Sequence, residues 1–288
     1  MEKEPKKNDL AQKFEKWLGH DNVYLSSNLK LDKSTVYLNG EEDKRITFSK
    51  YMPIGRFCNA VEKGEFVFLS PILWKDPFEM LFFHPQVLIS DDRYSVNMCC
   101  FAANDITNEE GFWNIWSKDS SEPIVRVTYD FSKLLEEFGK NQKMDFYLGM
   151  INYKSRHDIL INSKRRTNSF YSHICDYLND LCQKRDAYRY EIELRLFVVR
   201  KMHQNQKAEN VINISEIDYC NSIVADVTLP PMEPLGNSHP SMGMYKCMQD
   251  CYNLETKQKI EKLIAEGKLR CEVYQSALYC TNIKERSY

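Results

Sequence analysis

Most of the short signatures of familiar enzyme classes are missing from this chain. It contains no Gly-x-Gly-x-x-Gly, no Walker phosphate-binding loop, no Gly-x-Ser-x-Gly and no His-Glu-x-x-His. Only ten glycines occur among 288 residues. This scarcity argues against the glycine-rich turn of a Rossmann dinucleotide-binding domain. Any catalytic chemistry must therefore depend on a less familiar arrangement of side chains.

Long apolar runs and paired cysteines are also missing. No run approaches the roughly 18 apolar residues of a membrane span, and the charged start of the chain has no apolar signal region. Ten cysteines occur, but none in a Cys-x-x-Cys pair. Cys247-x3-Cys251 and His173-x-Cys175 lack the arrangement of a zinc site. We therefore expect free thiols, a reducing cytoplasmic location and no metal site.

The composition is that of a globular protein with a sizeable core. Hydrophobic residues make up 43% of the chain, charged residues 28% and aromatic residues 12%. The net charge of −2 argues against non-specific nucleic-acid binding by the whole surface. We expect a helix and a polar arm over residues 1–45 and a single α+β domain over residues 46–288.

Alternation and helical spacing predict an irregular mixture of strands and helices, which is typical of the α+β class. The predicted strands are 46–51, 65–70, 94–101, 123–129, 146–153, 188–199, 211–217, 222–227 and 269–278. The predicted helices are 10–18, 54–62, 109–116, 132–138, 170–184 and 254–266. Ser132 is the predicted N-cap of its helix, residues 229–244 form a loop, and Lys164–Arg166 lie in a polar connection.

The stretch from Tyr188 to Phe197 carries the strongest chemical pattern. If it is a strand, one face is apolar, whereas Glu191 and Glu193 lie on the other face between Arg189 and Arg195. The two carboxylates would then be about 7 Å apart. Such a pair can stabilise a positively charged sugar and orient an attacking group. The alternative is a solvated strand face with cross-strand ion pairs.

Other candidates are weaker and each has a structural alternative. The loop from Ser70 to Glu79 can place Trp74, Asp76 and Glu79 in a cleft or simply form a rigid connection. Trp113 and Trp116 can stack a planar ligand, although aromatic pairs at helical spacing are more often core residues. A basic cluster can contact phosphate or form a solvated face; it comprises Lys154, Arg156, Lys164, Arg165 and Arg166.

Six short motifs follow one another along the chain: Ser49-Lys50-Tyr51, Phe66-x-Phe68-Leu69-Ser70-Pro71, Asp76-Pro77-Phe78-Glu79, Cys100-Phe101, Trp113-x-x-Trp116 and Lys184-x3-Tyr188-x-Tyr190-Glu191-x-Glu193-x-Arg195. Their order resembles a widespread bacterial domain of unknown function, and the resemblance covers about residues 46–280. Trp74-Lys75 and Trp116 replace residues that are usual in that family.

The layout is similar, more distantly, to ADP-ribosyltransferases. That resemblance implies a mainly antiparallel split sheet with flanking helices and NAD as a substrate. It implies that Glu193 holds the nicotinamide ribose, that Glu191 positions the acceptor, that Lys50 contacts phosphate or ribose, and that Ser70 braces the site. The other residues expected at NAD are Tyr51, Trp74, Asp76, Trp116 and Arg195.

The leading hypothesis is an enzyme that cleaves NAD at the nicotinamide–ribose bond, as a toxin or an anti-phage defence effector. It would transfer ADP-ribose to a protein, a nucleic acid or water. A second hypothesis is a non-catalytic module that binds protein or nucleic acid through the Pro71–Glu79 loop and the basic cluster. It predicts that Glu191 and Glu193 are paired with cations. A third is a Mg²⁺-dependent nuclease that uses Asp76, Glu79, Glu191 and Glu193.

Overall fold

The computed structural model describes residues 47–74, 76–103, 113, 120–138, 144–165, 170–191, 193–231 and 242–276. The predicted N-terminal helix and arm, Trp116 and most of the predicted helix at 109–116 lie outside these residues. Among the described helices, none combines the length and apolar character that crossing a membrane requires.

The strands and helices alternate irregularly along the chain. The strands are β1 (Thr47–Pro53), β2 (Phe66–Leu69), β3 (Val87–Ile89), β4 (Asp92–Ala103), β5 (Ile124–Asp130), β6 (Asp145–Met150), β7 (Asn152–Lys154), β8 (Phe170–Tyr171), β9 (Gln183–Arg185), β10 (Glu193–Met202), β11 (Val211–Ile214), β12 (Val224–Leu229) and β13 (Glu272–Gln275). The α-helices are α1 (Ile54–Lys63), α2 (Phe131–Phe138), α3 (Arg156–Arg165), α4 (Ile174–Leu181) and α5 (Met242–Ala265). Short 3₁₀ helices cover Pro71–Leu73, Asp186–Glu191 and Tyr219–Asn221.

The described residues group into two compact units that are interleaved in sequence. Unit 1 contains residues 67–103 and 135–214, and unit 2 contains residues 47–66, the described part of 104–134, and residues 215–276. Each unit combines helices with mainly antiparallel strand pairs, so the α+β prediction is confirmed. The expectation of one domain over residues 46–288 stays a prediction.

Unit 1 is built around β10, which has a partner on each side. Its antiparallel pairing with β4 runs from Glu193 opposite Ala102 to Met202 opposite Arg93. On its other edge, β10 pairs antiparallel with β6. Helix α4 packs against β4 and β10 through an apolar cluster that includes Tyr177, Leu181 and Phe197. Strands β7 and β9 form a small parallel pair. This pair lies next to the first residue of β10, because the Glu193 N–H donates to the hydroxyl of Tyr153 on β7.

Unit 2 is built around β5, which pairs antiparallel with β1 and with β12. Strand β13 extends this sheet by parallel pairing with β12. Helix α1 buries Ile54, Phe57 and Val61 and packs on α5. It ends where predicted, because Gly64 adopts the left-handed conformation with φ of 61°.

Several element predictions are wrong in detail. The predicted helix over 170–184 contains only α4, because Phe170–Tyr171 and Gln183–Arg185 pair as strands. Lys164 lies near the end of α3 and not in an irregular connection. Helix α2 starts at Phe131, and its cap is Asp130, whose carboxylate accepts a 3.3 Å hydrogen bond from the Lys133 N–H. Helix α5 begins at Met242, within the predicted loop.

Candidate functional site

The predicted strand over Tyr188–Phe197 is wrong in its first half. Asp186–Glu191 forms a 3₁₀ helix, and β10 begins at Glu193. The consequence is a contact that an extended chain cannot make. Lys184 Nζ lies 2.6 Å from Glu191 Oε2, whereas seven residues of strand would separate the two positions by about 23 Å. The turn therefore folds Glu191 back onto β9.

The charged face of β10 is buried, which overturns the solvated-face alternative. Glu193 is 6% exposed and Arg195 is 0% exposed. On this face, Glu193 and Arg195 are followed by Phe197 and Val199, which belong to the apolar cluster beneath α4. The two charged side chains thus lie at one end of a core layer. Ionised groups in such a position need hydrogen-bonded partners of opposite charge.

Arg195 has a partner on each part of its guanidinium group. Its Nε donates to Glu193 Oε1 at 2.7 Å, its Nη2 to Glu79 Oε2, and its Nη1 to the carbonyl oxygen of Leu181. Its Cζ also lies 4.3 Å from the centroid of the Trp74 ring. Burial acts to lower the pKa of Arg195, but Glu193 and Glu79 outweigh it and raise the pKa. The guanidinium therefore remains charged and holds three segments of unit 1 together.

Lys184 is surrounded by carboxylates from two distant parts of the chain. Its Nζ lies 2.6 Å from both Glu191 Oε2 and Glu193 Oε2, and 3.4 Å from Glu79 Oε1. We call Glu79, Lys184, Glu191, Glu193 and Arg195 the glutamate cluster. Burial acts to lower the pKa of Lys184, but the three carboxylates outweigh it and raise the pKa. The cluster thus brings three carboxyl groups together with two cationic side chains.

The two glutamates of the Glu-x-Glu motif are tuned in opposite directions. Burial acts to raise the pKa of Glu193, but Arg195 and Lys184 outweigh it and lower the pKa to about 2. Burial raises the pKa of Glu191, and the opposing effect of Lys184 is not enough to reverse the shift. Glu193 uses both oxygens in ion pairs, whereas the ion pair of Glu191 uses only Oε2. Opposite tuning of neighbouring carboxyl groups is typical of acid–base sites.

Aromatic and polar side chains border the glutamate cluster. Arg185 donates through Nε and Nη2 to Asp76 Oδ2 at 3.1 and 3.0 Å, and through Nη2 to the Tyr188 hydroxyl at 2.8 Å. Asp76 also accepts a 2.9 Å hydrogen bond from the Phe78 N–H, which closes a turn in the loop. The Tyr188 ring centroid lies 4.9 Å from Lys184 Nζ. Asp76 is therefore held beside the cluster by Arg185. The expectation that its loop lines a cleft stays a prediction.

The other predicted site residues have more varied positions. Ser70 is buried, and its hydroxyl accepts a hydrogen bond from the Ile72 N–H, so it caps the 3₁₀ turn in the loop. Lys50 and Tyr51 lie on β1 in unit 2, where Lys50 Nζ is 5.9 Å from the Phe66 ring centroid. Tyr51 packs edge-on against Trp113, which is 4% exposed. The core role favoured for Trp113 is therefore confirmed.

Sequence reasoning gave no role to Lys184, Arg185 or Tyr153. Tyr153 accepts a 2.9 Å hydrogen bond from the Glu193 N–H and so fixes the first residue of β10. The one available signal was that Lys184 opens the motif that ends in Glu-x-Glu-x-Arg. Their convergence depends on the parallel pairing of β7 with β9, which places Tyr153 opposite Lys184.

Comparisons with models of protein families, with curated proteins and with solved structures find no match to this chain. The resemblances noted in the sequence therefore stay predictions. Within the described residues, no group of three or more His, Cys, Asp or Glu side chains has an arrangement that could hold a metal ion. The carboxylates of the glutamate cluster instead surround the Lys184 ammonium group.

Proposed function

We propose that the glutamate cluster is the active site of an ADP-ribosyltransferase-like enzyme that cleaves NAD at the nicotinamide–ribose bond. The observation that carries this proposal is the shared ammonium group of Lys184, which fixes Glu191 and Glu193 at the start of β10. Bond cleavage develops positive charge on the ribose, and a fixed, ionised carboxylate stabilises that charge. All five residues of the glutamate cluster belong to unit 1.

The roles proposed for the two glutamates follow from their contacts. Glu191 is the better candidate for contact with the reacting sugar and for proton transfer, because its one ion pair within the described residues uses Oε2 and its pKa is raised. Glu193 is better suited to positioning, because Arg195 and Lys184 engage both of its oxygens. These roles differ from those that the family resemblance implies, in which Glu193 holds the ribose.

The surroundings of the cluster suit a nicotinamide nucleotide. Trp74 and Tyr188 are partly exposed rings beside the charged groups, and rings of this kind stack on planar ligands. We propose that such an enzyme acts as a toxin or an anti-phage defence effector. Expression of the wild-type chain should then arrest growth of a host cell, and Glu191→Gln should relieve the arrest.

The test is NAD consumption by the purified protein, followed by chromatography of nicotinamide and ADP-ribose, with and without protein and nucleic-acid acceptors. Glu191→Gln should lower the rate by about 10²-fold or more, as for loss of a general acid or base. Glu209→Gln is the matched control, since Glu209 is an exposed glutamate of unit 1. Activity of the wild type should fall as the pH drops through the raised pKa of Glu191. Failure of the wild type to consume NAD under all these conditions would contradict the proposal.

A non-catalytic recognition module is the second candidate. It is favoured by the pairing of Glu191 and Glu193 with cations, and by the exposure of Ile72 and Leu73 in the loop at 44% and 49%. In this case, salt-dependent binding of RNA or DNA should be lost when Lys154 and Lys164 are both changed to Gln, and Glu191→Gln should bind normally. The same nucleic acids incubated with Mg²⁺ test the nuclease hypothesis, which the position of Lys184 among the carboxylates does not favour.

A further inference from the structure

Three cationic residues lie on neighbouring elements beside the glutamate cluster. Strands β7 and β9 pair in parallel, with Lys154 opposite Arg185. Opposed residues of neighbouring strands lie on the same face of a sheet, with backbones about 4.8 Å apart. Arg156 follows two residues later as the first residue of α3. We call Lys154, Arg156 and Arg185 the basic rim.

The Phe78 ring brings the two guanidinium groups of the basic rim together. Arg156 Cζ lies 5.1 Å from the ring centroid, and Arg185 Cζ lies 4.9 Å from it. The two guanidinium carbons are therefore within about 10 Å of each other. Cations at this distance from a ring are held by its electrons without being neutralised.

The basic rim has more positive charge than its described neighbours balance. Arg185 is paired with Asp76. In the described part of the chain, neither Lys154 nor Arg156 forms an ion pair. The nearby carboxylate of Asp158 accepts a 2.7 Å hydrogen bond from the Ser155 hydroxyl. The surplus suits an anionic ligand group.

Tyr188 connects the basic rim to the glutamate cluster. Its ring centroid lies 4.9 Å from Lys184 Nζ and 5.0 Å from Arg185 Cζ. In NAD, a single methylene and an ester oxygen separate the nicotinamide ribose from the first phosphorus atom. One ligand can therefore place its ribose at Glu191 and its diphosphate at the basic rim.

We infer that Lys154, Arg156 and Arg185 form the subsite for the diphosphate of the dinucleotide, an inference that rests on the proposed function. The basic rim then determines the substrate class, because it favours a dinucleotide over a nucleoside. Arg156 supplies the guanidinium fork that suits phosphate oxygens. Lys154 adds a point charge, and Asp76 orients Arg185.

The experiment is calorimetric titration of Glu191→Gln, in which turnover is suppressed, with NAD, nicotinamide riboside and inorganic pyrophosphate. In the Glu191→Gln protein, the additional change Arg156→Gln should weaken the binding of NAD and of pyrophosphate about tenfold. A further change, Lys154→Gln, should weaken the binding of both ligands more. Binding of the riboside should not change. Arg93→Gln is the matched control, because Arg93 is an exposed arginine of β4 in the same unit. Circular dichroism and thermal melting report whether each variant is folded, and Arg156→Lys should recover part of the affinity.

Equal NAD affinity with and without Arg156 and Lys154 in folded variants would overturn the subsite, even if cleavage of NAD depends on Glu191. Pyrophosphate binding that requires Arg156, together with no cleavage of NAD by the wild type, would support the subsite and reject the proposed function. Tighter binding of RNA than of NAD, lost in the same variants, would also overturn the inference and make the basic rim a nucleic-acid surface.

Discussion

Glu191 and Glu193 are two residues apart and share one ammonium group, yet they are in different electrostatic states. Glu193 has Arg195 as a second cation, whereas Glu191 has only Lys184 among its described ion-pair partners. The asymmetry explains why the pKa of Glu193 is lowered and that of Glu191 is raised. The proton equilibrium of Glu193 should therefore affect the stability of the fold, and that of Glu191 should affect the proposed activity.

The pKa of Glu193 predicts a loss of stability in acid. Its ordinary value of 4.5 falls to about 2 in the folded protein, which corresponds to about 3 kcal/mol of unfolding free energy. Because the unfolded chain binds the proton first, this contribution is complete above about pH 4.5 and is lost as the pH falls towards 2. Urea unfolding of the wild type and Glu193→Gln at pH 7 and pH 3 measures it.

The unfolding free energy of Glu193→Gln should be about 3 to 5 kcal/mol below that of the wild type at pH 7, as for a broken buried ion pair. The difference should be clearly smaller at pH 3. Glu209→Gln should show little difference at either pH, since its carboxylate is exposed. A constant difference between wild type and Glu193→Gln across this range would contradict the lowered pKa.

Replacement of Lys184 should lower the unfolding free energy more than replacement of a surface lysine whose ion pair has the same nitrogen–oxygen distance. Lys184→Met removes the ammonium group from between two buried carboxylates and one partly buried carboxylate, and we expect a cost of about 3 kcal/mol or more in unfolding free energy. Lys201 Nζ also lies 2.6 Å from a carboxylate, that of Asp92, but both side chains are about half exposed. Lys201→Met should therefore change the unfolding free energy little. Chemical denaturation of both variants makes the comparison.

A double mutant identifies the cause of that cost. Adding Glu191→Gln to Lys184→Met removes one of the facing carboxylates. The double variant should then be more stable than the two single changes predict, by about 0.5 to 3 kcal/mol. Strict additivity would mean that Lys184 stabilises the fold by packing alone.

At the scale of elements, local patterns predicted the local structure well. The apolar spacing of residues 54–62 and Gly64 predicted α1 with its correct end, and the alternation near Tyr94–Phe101 predicted the middle of β4. The conformation of these two elements is determined by the local order of apolar and polar residues, which can be read directly from the sequence. Their predicted limits differ from the observed ones by only a few residues.

The start of β10 was not predictable in the same way. Alternation in Tyr188–Phe197 suggested a continuous strand, whereas a turn is observed up to Glu191, and the charged side chains of Glu193 and Arg195 are buried. The turn is stabilised by the contact of Lys184 with Glu191, and the burial depends on Glu79 and α4. The pairing of Glu193 with Arg195 was therefore predicted, whereas Lys184, the cation that both glutamates share, was not. A functional role for the two carboxylates stays a prediction.

Gly149 on β6 provides a prediction about how closely β6 packs in unit 1. A Cβ atom at this position would lie 2.5 Å from Cys182 Sγ and 3.1 Å from the Phe197 ring. Gly149→Ala should therefore destabilise the protein by about 1 to 3 kcal/mol. Cys182→Ala removes the sulfur atom, so Gly149→Ala should cost less unfolding free energy in a chain that also carries Cys182→Ala. Thermal or urea unfolding of the wild type, the two single variants and the double variant measures this.

At the scale of the whole molecule, neither unit is a continuous piece of chain. Unit 1 needs residues 67–103 as well as residues 135–214, because β10 pairs with β4 over its full length. Residues 135–214 expressed alone should therefore lack a cooperative unfolding transition. Mixing them with a peptide of residues 67–103 should restore structure detectable by circular dichroism, and a scrambled peptide of the same composition should not.

The distance in sequence between Glu79 and Arg195 also affects the order of events during synthesis. The two residues are 116 positions apart. At about 5–20 residues per second, Glu79 leaves the ribosome roughly 6 to 23 seconds before the guanidinium group that neutralises it. During that time, Asp76 and Glu79 remain hydrated in an incomplete chain. The charged core of unit 1 therefore forms late, as expected of a topology with many long-range contacts.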